Sequence, residues 1–474
     1  MKRAVASLLA LSLAGCAMGP DYKRPETAPP ANYRGAPTPG TAASLADLAW
    51  WDLAKGDPVL VGLLGEALEK NQDLKIAAAR VEEARAISRI NYVLPTVAAG
   101  AGAQRGRISE NVGSPAGGLT GNAFELSASF SWEIDLWGRL RRTNEATLAR
   151  FLATEEARRG VYLVLVSDVA AAYYQLRALD MQLEVAKRTT GSRKDSSDLV
   201  EKRLRGGIGN KLETSQASSA LAQAEVAVPQ IEQAIFDQEN LLSLLLGRPP
   251  GPIARGRALG EVPPGEIPAG LPSALLERRP DVRQAEATLR AANAEVGIAE
   301  ANLFPQLSLT GSAGFQSTDL SDLLKSPSFI WSIGGGLFAP IFQGGRLRRE
   351  ADAARARWDQ ARVAYEKAAL AAFGDTASSL YAIGKTREIR EANGRNVAAL
   401  RDAEKTAFLR YDGGVSPYLE VLDSQRQLFS AELNYATSLR DQWLAVIRLY
   451  RALGGGWNTS ERPPAGAVPS PASN

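Results

Sequence analysis

Histidine is absent from the 474 residues of this chain, cysteine occurs once and methionine three times. Without histidine, catalysis or metal binding through an imidazole is excluded. One cysteine cannot form a disulfide within the chain or a thiolate cluster, and three methionines do not supply a thioether path for soft metals. No nucleophile paired with a general base is recognisable either. The sequence therefore predicts no metal, no cofactor and no enzyme activity.

A strong charge of one sign is also missing. The chain has 55 Lys and Arg against 52 Asp and Glu, a formal net charge of +3. This balance provides no basic stripe for phosphates, so nucleic acid is not an expected partner. Long apolar runs are lacking too, because no segment beyond the N-terminal leader reaches the ~18 apolar residues that a transmembrane helix needs. If the chain crosses a membrane, it must do so with β-strands.

The N-terminus has the features of a lipoprotein signal peptide, predicted for residues 1–15. Two basic residues precede the apolar stretch 4–14, which is too short to span a bilayer but typical of a secretory leader. The stretch ends in LAGC, which resembles a lipobox, so Cys16 is the predicted lipidation site. Ala17 is not the Asp that retains such lipoproteins in the inner membrane, and we expect an outer-membrane location. The alternative is a chance cysteine near a signal peptide.

The rest of the chain consists of two similar halves. The sequence GRLRR occurs at 138–142 and again at 345–349, and the same shift of 207 residues relates Tyr174 to Tyr381. Such self-similarity indicates an internal repeat of ~200 residues. The predicted domains are the signal peptide 1–15, a lipidated extended segment with part of an equatorial region 16–72, repeat 1 at 73–247, an equatorial linker 248–280, repeat 2 at 281–454 and a tail 455–474.

Each repeat is predicted to contain a long helical hairpin. The segments 138–204 and 345–411 are rich in Ala, Leu, Arg and Glu and contain no proline, which predicts two uninterrupted helices. At 1.5 Å per residue, each would be about 100 Å long. Pro229 predicts a kink in the first returning helix only. Returning helices are expected at 210–246 and 417–452, and helices before the strands at 73–94 and 281–303.

Four segments between the helices have a different periodicity. From Phe124 to Leu136, apolar residues alternate with Ser, Glu and Asp without exception, and 306–316 and 329–337 alternate similarly. The segment 96–105 is a weaker case, mostly Ala and Gly. A period of two predicts strands, and one apolar and one Ser-rich face is typical of a barrel in a membrane. A half-buried sheet of a soluble protein has the same alternation and is the alternative.

Four membrane strands would also determine the assembly. A sheet in hydrocarbon must close, because its edge N–H and C=O groups cannot bond to water there, and four strands are too few to close. Two chains would give eight strands with a filled interior, whereas three would give twelve strands and a lumen. We therefore expect a homotrimer in outer-membrane lipid. The predicted fold class is mainly α with membrane β: a trimeric α/β channel-tunnel with a 12-stranded barrel and a periplasmic α-barrel.

Several motifs together resemble the outer-membrane efflux proteins related to TolC, and in particular the lipoprotein branch typified by OprM and NodT. The resemblance covers nearly the whole mature chain. It implies a passive exit duct for small molecules that docks on a periplasmic adaptor protein and an inner-membrane pump, which supplies the energy. The motifs are GPDY at 19–22, WW at 50–51, DP at 57–58, WEIDLWGR at 132–139, RPD at 279–281 and FP at 304–305.

The resemblance also assigns roles to two groups of residues. Glu420 and Asp423 match an acidic pair at the constricted periplasmic entrance, and a spacing of three residues places both on one helix face. Three chains would gather six carboxylates, whose repulsion raises their pKa values or recruits cations. The alternative for this pair is a solvated helix face, and the alternative for the adaptor-contacting tips is a capped turn. The turns that match the adaptor-contacting tips contain Arg203, Leu204, Gly206, Gly207 and Gly209 in repeat 1, and Arg410, Gly413, Gly414 and Ser416 in repeat 2.

A structural function, rather than one in transport, is an alternative that is compatible with the same sequence features. A lipid-anchored periplasmic scaffold would need coiled coils and a soluble sheet, but no pore. A barrel trimer should resist extraction from the membrane, whereas such a scaffold should be released once its lipid is removed.

Overall fold

The computed structural model describes residues 17–34, 45–47, 49–54, 56–111, 118–260 and 272–455. Cys16 and the predicted signal peptide lie outside these residues. The chain divides into two compact units. The sheet unit contains residues 17–26, 81–154 and 284–366, and the helical unit contains residues 27–80, 155–283 and 367–455 where they are described. Both units draw on both predicted repeats, and the domain boundaries proposed from the sequence stay a prediction.

Long helices dominate the part of the chain that the structure describes, and all four strands found there belong to the sheet unit. Among the described residues, no helix is both long and apolar enough to cross a membrane. The helices are α1 (Trp50–Leu53), α2 (Pro58–Lys70), α3 (Gln72–Ser88), α4 (Arg139–Arg205), α5 (Lys211–Leu245), α6 (Leu275–Arg278), α7 (Pro280–Ala301), α8 (Arg346–Asp412) and α9 (Tyr418–Ala452). The strands are β1 (Thr96–Arg107), β2 (Thr120–Ile134), β3 (Gln306–Ser317) and β4 (Phe329–Phe338).

The two long helices confirm the sequence prediction to within one residue at each end. Both α4 and α8 have 67 residues, and the returning helices α5 and α9 have 35 each. Helix α5 continues through Pro229, so the predicted kink stays a prediction. Good helix formers throughout, with no internal proline in α4 or α8, explain why these two helices could be located from the sequence.

The predicted end of the first short helix is wrong. Helix α3 ends at Ser88 rather than at residue 94. The Asn91 side chain accepts the N–H of Val93 at 3.2 Å and also contacts Asn144, while the N–H of Tyr92 bonds to the Asn144 side chain at 3.2 Å. Asparagine thus offers the backbone an alternative to the helical hydrogen bonds, and the chain turns toward β1 before it reaches Pro95.

The four strands form one antiparallel sheet in the order β1-β2-β3-β4, which confirms all four predicted segments. The register places Ala101 opposite Leu126, Leu126 opposite Phe315, and Phe315 opposite Phe329. Apolar residues of all four strands therefore share one face. Ser and Gly residues occupy much of the other face, where the Ser312 and Ser332 hydroxyls lie 2.8 Å apart.

In the helical unit, an apolar core joins α1 and α2 to α4 and α9. Trp50 is buried and donates its indole N–H to the Tyr162 hydroxyl at 2.7 Å. Asp57 caps α2 by accepting backbone N–H groups, and it also accepts the Tyr173 hydroxyl at 2.7 Å. Burial, followed by this hydrogen bond, raises the pKa of Tyr173. The WW and DP motifs thus hold the N-terminal helices on α4. On α9, the Trp443 ring stacks on the Tyr174 ring of α4 with their centres 4.5 Å apart.

In the sheet unit, the segment that comes after Cys16 lies against the start of α4 and against α7. The Arg142 guanidinium donates to the carbonyls of Met18 and Gly19 and to the Asp21 carboxylate. Gly19 has a φ of +83°, and a Cβ there would lie 2.5 Å from the Cα of Gly297. Two glycines therefore allow this close approach. Residues 17–34 contain no helix or strand.

Candidate functional site at the helical tips

The first tip, between α4 and α5, is a glycine turn with a Schellman pattern of hydrogen bonds. The N–H of Gly207 bonds to the carbonyl of Leu204 at 3.0 Å, and the N–H of Ile208 bonds to the carbonyl of Arg203 at 3.0 Å. Gly207 has a φ of +76°, the left-handed conformation that this pattern requires. The Asn210 side chain then caps α5 by accepting the N–H of Glu213 at 2.9 Å.

The second tip, between α8 and α9, repeats this backbone geometry. The N–H of Gly414 bonds to the carbonyl of Tyr411 at 3.0 Å, and the N–H of Val415 bonds to the carbonyl of Arg410 at 2.9 Å. Gly414 has a φ of +72°. Pro417 precedes α9 and forms no side-chain cap. Helix capping therefore explains the glycines of both tips, in line with the alternative of a capped turn. It does not explain the side chains around these glycines.

Both tips expose large apolar side chains at equivalent positions. Ile208 is 80% exposed and Val415 is 73% exposed, and each is followed four residues later by an exposed leucine, Leu212 and Leu419. None of these four residues is among the site residues predicted from the sequence. The 207-residue shift relates Ile208 to Val415 and Leu212 to Leu419, so the repeat contained the signal. Exposed apolar side chains clustered on a surface are typical of a protein interaction site.

A small apolar core connects the two hairpins just behind their tips. Val200 and Val421 are fully buried in it, and the rings of Tyr411 and Tyr418 lie 5.2 Å apart. Burial raises the pKa of Tyr411, and it raises that of Tyr418 to about 12. Both hydroxyls therefore stay protonated at neutral pH. In this conformation, the core holds the two tips of one chain together.

Arg203 ties the two tips together rather than pointing away from them. Its Nη2 lies 3.0 Å from the Asp412 carboxylate, and its guanidinium lies 4.5 Å from the centre of the Tyr411 ring. It also donates to the Tyr411 and Asp412 carbonyls. Leu204 is half-buried as well, whereas the flanking Gly206 and Gly207 are exposed. Of the predicted first-tip residues, Gly206 and Gly207 are therefore the exposed ones, whereas Gly209 is half-buried like Leu204.

Glu420 and Asp423 lie near the start of α9, and each has an arginine neighbour in the same chain. Glu420 Oε2 lies 3.7 Å from Arg410 Nε, and Asp423 Oδ1 lies 2.6 Å from Arg426 Nη2. Both carboxylates are about half exposed. The hydrogen bond from Arg426, followed by that from Gln427, lowers the pKa of Asp423. The acidic pair is thus part of a mixed-charge surface, which the sequence analysis did not anticipate.

An ion cluster around the buried carboxylate of Glu432 joins three helices further from the tips. The Glu432 carboxylate on α9 accepts hydrogen bonds from Arg188 on α4 and from Arg401 on α8, the latter at 2.7 Å. Glu432 is only 5% exposed. Nearby, burial and then the charge of Glu432 raise the pKa of Glu404. Sequence analysis missed this cluster, since its members come from three distant segments.

Comparison with known proteins places this architecture in one family. The profile of the family described as outer membrane efflux protein matches residues 63–248 and 271–455. The chain is 36% identical over 459 residues to the solvent efflux pump outer membrane protein SrpC of Pseudomonas putida, covering 95% of this chain and 97% of SrpC. The chain belongs to the outer membrane efflux protein family.

Two further relatives agree with this assignment. The cation efflux system protein CusC of Escherichia coli is 34% identical over 466 residues, which cover 95% of this chain and 97% of CusC. The solved structure of the outer-membrane channel OprN superposes with a TM-score of 0.87 at 32% identity, covering 93% of this chain and all of that one.

Membership confirms the fold class, the outer-membrane location and the function expected from the sequence. The chain is the outer-membrane channel protein of an efflux system and has the α/β channel-tunnel fold. The alternative function, a lipid-anchored periplasmic scaffold without a pore, is excluded. The family consists of channels and is not an enzyme family. Channels of this family form trimers and work with adaptors and inner-membrane pumps.

Proposed function

We propose that three copies of this chain form the exit duct of a tripartite exporter, and that a periplasmic adaptor binds the tips of both helical hairpins. The geometry of the tips carries the proposal: two turns of the same backbone shape close helical hairpins and expose Ile208 and Val415. An adaptor that presents apolar helix surface would bury these side chains. Each would contribute about 1.5–3 kcal/mol if fully buried.

The docking role is tested by Ile208→Ser together with Val415→Ser. In cells whose ethidium efflux depends on this chain, the double variant should lose most of that efflux, whereas the purified protein should keep its mass and its conductance in planar bilayers. The matched control is Val226→Ser, because Val226 is also exposed but lies within α5. Wild-type efflux by the double variant would remove the tips from the docking surface.

The resting duct is proposed to be narrow at the tips, with the second hairpin as the moving part. Arg203 holds Asp412 across the two hairpins. On α9, Glu420 pairs with Arg410 of the second tip, and Asp423 pairs with Arg426. Opening would separate the hairpins, break the Arg203–Asp412 pair and carry α9 outward. The equivalents of the acidic pair in the first repeat are Glu213 and Gln216, so only the second hairpin carries two carboxylates.

Cys16 is the proposed attachment point of the lipid. The residues immediately after it are described, and Met18 donates its N–H to the carbonyl of Trp137 at 2.9 Å. Trp137 lies three residues after the end of β2. A lipid on Cys16 would therefore lie close to the end of a strand that faces the membrane.

A further inference from the structure

An arginine is buried without a carboxylate partner where the two helical hairpins meet. Arg193 of α4 is only 5% exposed. Its Nη1 donates to the Ala220 carbonyl of α5 at 2.7 Å, and its guanidinium carbon lies 5.6 Å from the centre of the Phe429 ring of α9. Its buried Nε–H has no hydrogen-bond partner among the described residues. Because buried charges in proteins are normally paired, this side chain needs an explanation.

A second arginine of α4 shows what Arg193 lacks. Arg188 forms an ion pair with the buried Glu432 carboxylate of α9. Burial lowers the pKa of Arg193, and no carboxylate in the described part of the chain offsets this effect. A guanidinium nevertheless stays protonated in a protein. The same pair of helices therefore holds one arginine whose charge is compensated and one whose charge is not.

Gln425 of α9 is left unsatisfied at the same level as Arg193. Its amide nitrogen donates to the Ser192 and Ser196 hydroxyls of α4 at 3.5 and 3.4 Å. Its Oε1 is buried and has no partner among the described residues. We call Ser192, Arg193, Ser196 and Gln425 the polar layer. The packing of α9 on α4 thus leaves one donor and one acceptor of the polar layer unpaired.

The contacts on both sides of the polar layer are favourable. Toward the tips, Val200 of α4 and Val421 of α9 are fully buried in the small apolar core. On the other side, Arg188 and Glu432 form their ion pair. An unpaired buried hydrogen-bonding group destabilises the packing around it, and a charged group does so more strongly. The polar layer is therefore the part of this interface that opposes its closure.

We propose that the buried charge of Arg193 biases the two hairpins toward separation and so toward the open duct. The inference rests on the proposed function, in which opening carries α9 away from the first hairpin. Separation would let water solvate the Arg193 guanidinium and the Gln425 amide oxygen. The apolar core and the Arg188–Glu432 pair act in the opposite direction, because separation removes their contacts. The duct is closed by the flanking contacts and is kept ready to open by the polar layer.

Substitutions of two arginines on one helix test the bias by the sign of their effects. Arg193→Met removes the charge and keeps an unbranched side chain. In single-channel recordings of the full-length protein, it should lower the open probability by about fivefold or more, since a buried unpaired group is removed. Arg193→Lys keeps a buried charge, so its open probability should stay near that of the unsubstituted protein. Arg188→Met is the matched control and should raise the open probability, because it removes a paired charge.

Thiol labelling tests the movement of the polar layer without a change at Arg193. Ser196 is 3% exposed, and Val169, also on α4, is fully buried in the large apolar core. If opening exposes the polar layer, a charged methanethiosulfonate reagent should modify Ser196→Cys at least about fivefold faster than Val169→Cys. The unsubstituted protein measures the background from Cys16.

The outcomes separate this inference from the proposed function. A lower open probability for Arg193→Met but not for Arg193→Lys, together with faster labelling of Ser196→Cys, supports the bias. An unchanged or higher open probability for Arg193→Met, or an equal loss in Arg193→Lys, overturns the bias while the duct itself stands. Equally slow labelling of both cysteines also overturns it, whether or not Arg193→Met assembles. An unsubstituted protein that forms no ion-conducting trimer overturns the duct and the bias together.

Discussion

Trp137, in the WEIDLWGR motif, donates its indole N–H to the Pro305 carbonyl at 2.7 Å and stacks on Phe304. Two motifs that are 168 residues apart therefore meet in one contact. In the RPD motif, Arg279 is buried and donates to the Ala452 carbonyl. The residues that carry the family resemblance are thus packing residues. This explains why they identified the fold and the family but not the contacts of the tips.

Glu404→Gln should stabilise the protein at neutral pH. The folded state raises the pKa of Glu404 through burial and the charge of Glu432. Such a raised carboxyl pKa favours folding at pH values below its ordinary value of 4.5, and this contribution is lost as the pH rises through the folded pKa. Glutamine removes this half-buried charge, so we expect a melting temperature about 1 °C higher at pH 7.5.

Thermal unfolding measured at pH 7.5 and at pH 4 checks this prediction. The gain should shrink at pH 4, where the wild-type carboxyl is already neutral. Asp402→Asn is the matched control, because Asp402 is an exposed residue two positions away. An equal gain for both variants, or a gain that persists at pH 4, would show that buried charge is not the cause.

The ion selectivity of the duct should depend on Asp423 and on its arginine neighbour in opposite directions. Asp423→Asn should lower the cation-to-anion permeability ratio by about fivefold, the effect of about 1 kcal/mol for a charge at 4 Å in water. Arg426→Gln should raise the ratio, since it removes the charge 2.6 Å from Asp423. Because Arg426 lowers the pKa of Asp423, the wild-type ratio should fall only at a lower pH than the ratio of Arg426→Gln does.

Reversal potentials in planar bilayers measure this ratio. Glu213→Gln, at the position equivalent to Glu420 in the first repeat, is the control and should leave the ratio unchanged. If Asp423→Asn has wild-type selectivity, the alternative of a solvated helix face is correct.

At the scale of elements, the tips depend on one left-handed glycine each. Gly414→Ala adds a Cβ that meets no atom within 4 Å, so its effect is backbone strain alone, about 1–2 kcal/mol. Amide exchange of residues 409–416 should therefore accelerate about 5- to 30-fold. Gly374→Ala, in open space within α8, should instead favour the helix by about 1 kcal/mol. Equal exchange in both variants would contradict the strain argument.

Arg203→Ala should loosen the contact between the two hairpins. The variant loses the Asp412 ion pair and the stacking on Tyr411, so the closed state weakens by about 1 kcal/mol and the open probability of the duct rises about fivefold. Single-channel recording measures the open probability. Arg205→Ala is the control, since Arg205 pairs only with Glu201 of its own helix among the contacts described. No change in open probability would leave Arg203 with a packing role.

The sequence predicted elements better than it predicted contacts between them. Alternation and helix propensity are local, and they located four strands and two 67-residue helices. The end of α3 was missed because Asn91 forms a local turn that periodicity does not report. The contact of Glu432 with Arg188 and Arg401 depends on the rotation of three helices about their axes, which no single segment specifies.

At the scale of the whole molecule, lipidation should require Cys16. Cys16→Ser should reduce incorporation of a labelled fatty acid at least tenfold, because the thiol is the acceptor and the chain has no second cysteine. Mass spectrometry of the mature N-terminus provides the second measurement. Equal labelling of both proteins would mean that the LAGC motif is a chance match. Signal-peptide cleavage before residue 16 in the wild type is part of the expected result.

The two tips share a backbone shape but differ in the residues that come after it, Asn210 and Lys211 in one and Pro417 in the other. A ring of three chains would therefore present six tips with the same backbone shape, and the two kinds of flanking residue would alternate around the ring. A partner that recognises form alone would bind with six copies per ring, whereas one that requires the lysine or the proline would bind with three. The number of partner copies bound per trimer would thus show whether the partner recognises the backbone shape of the tips or the residues that follow it.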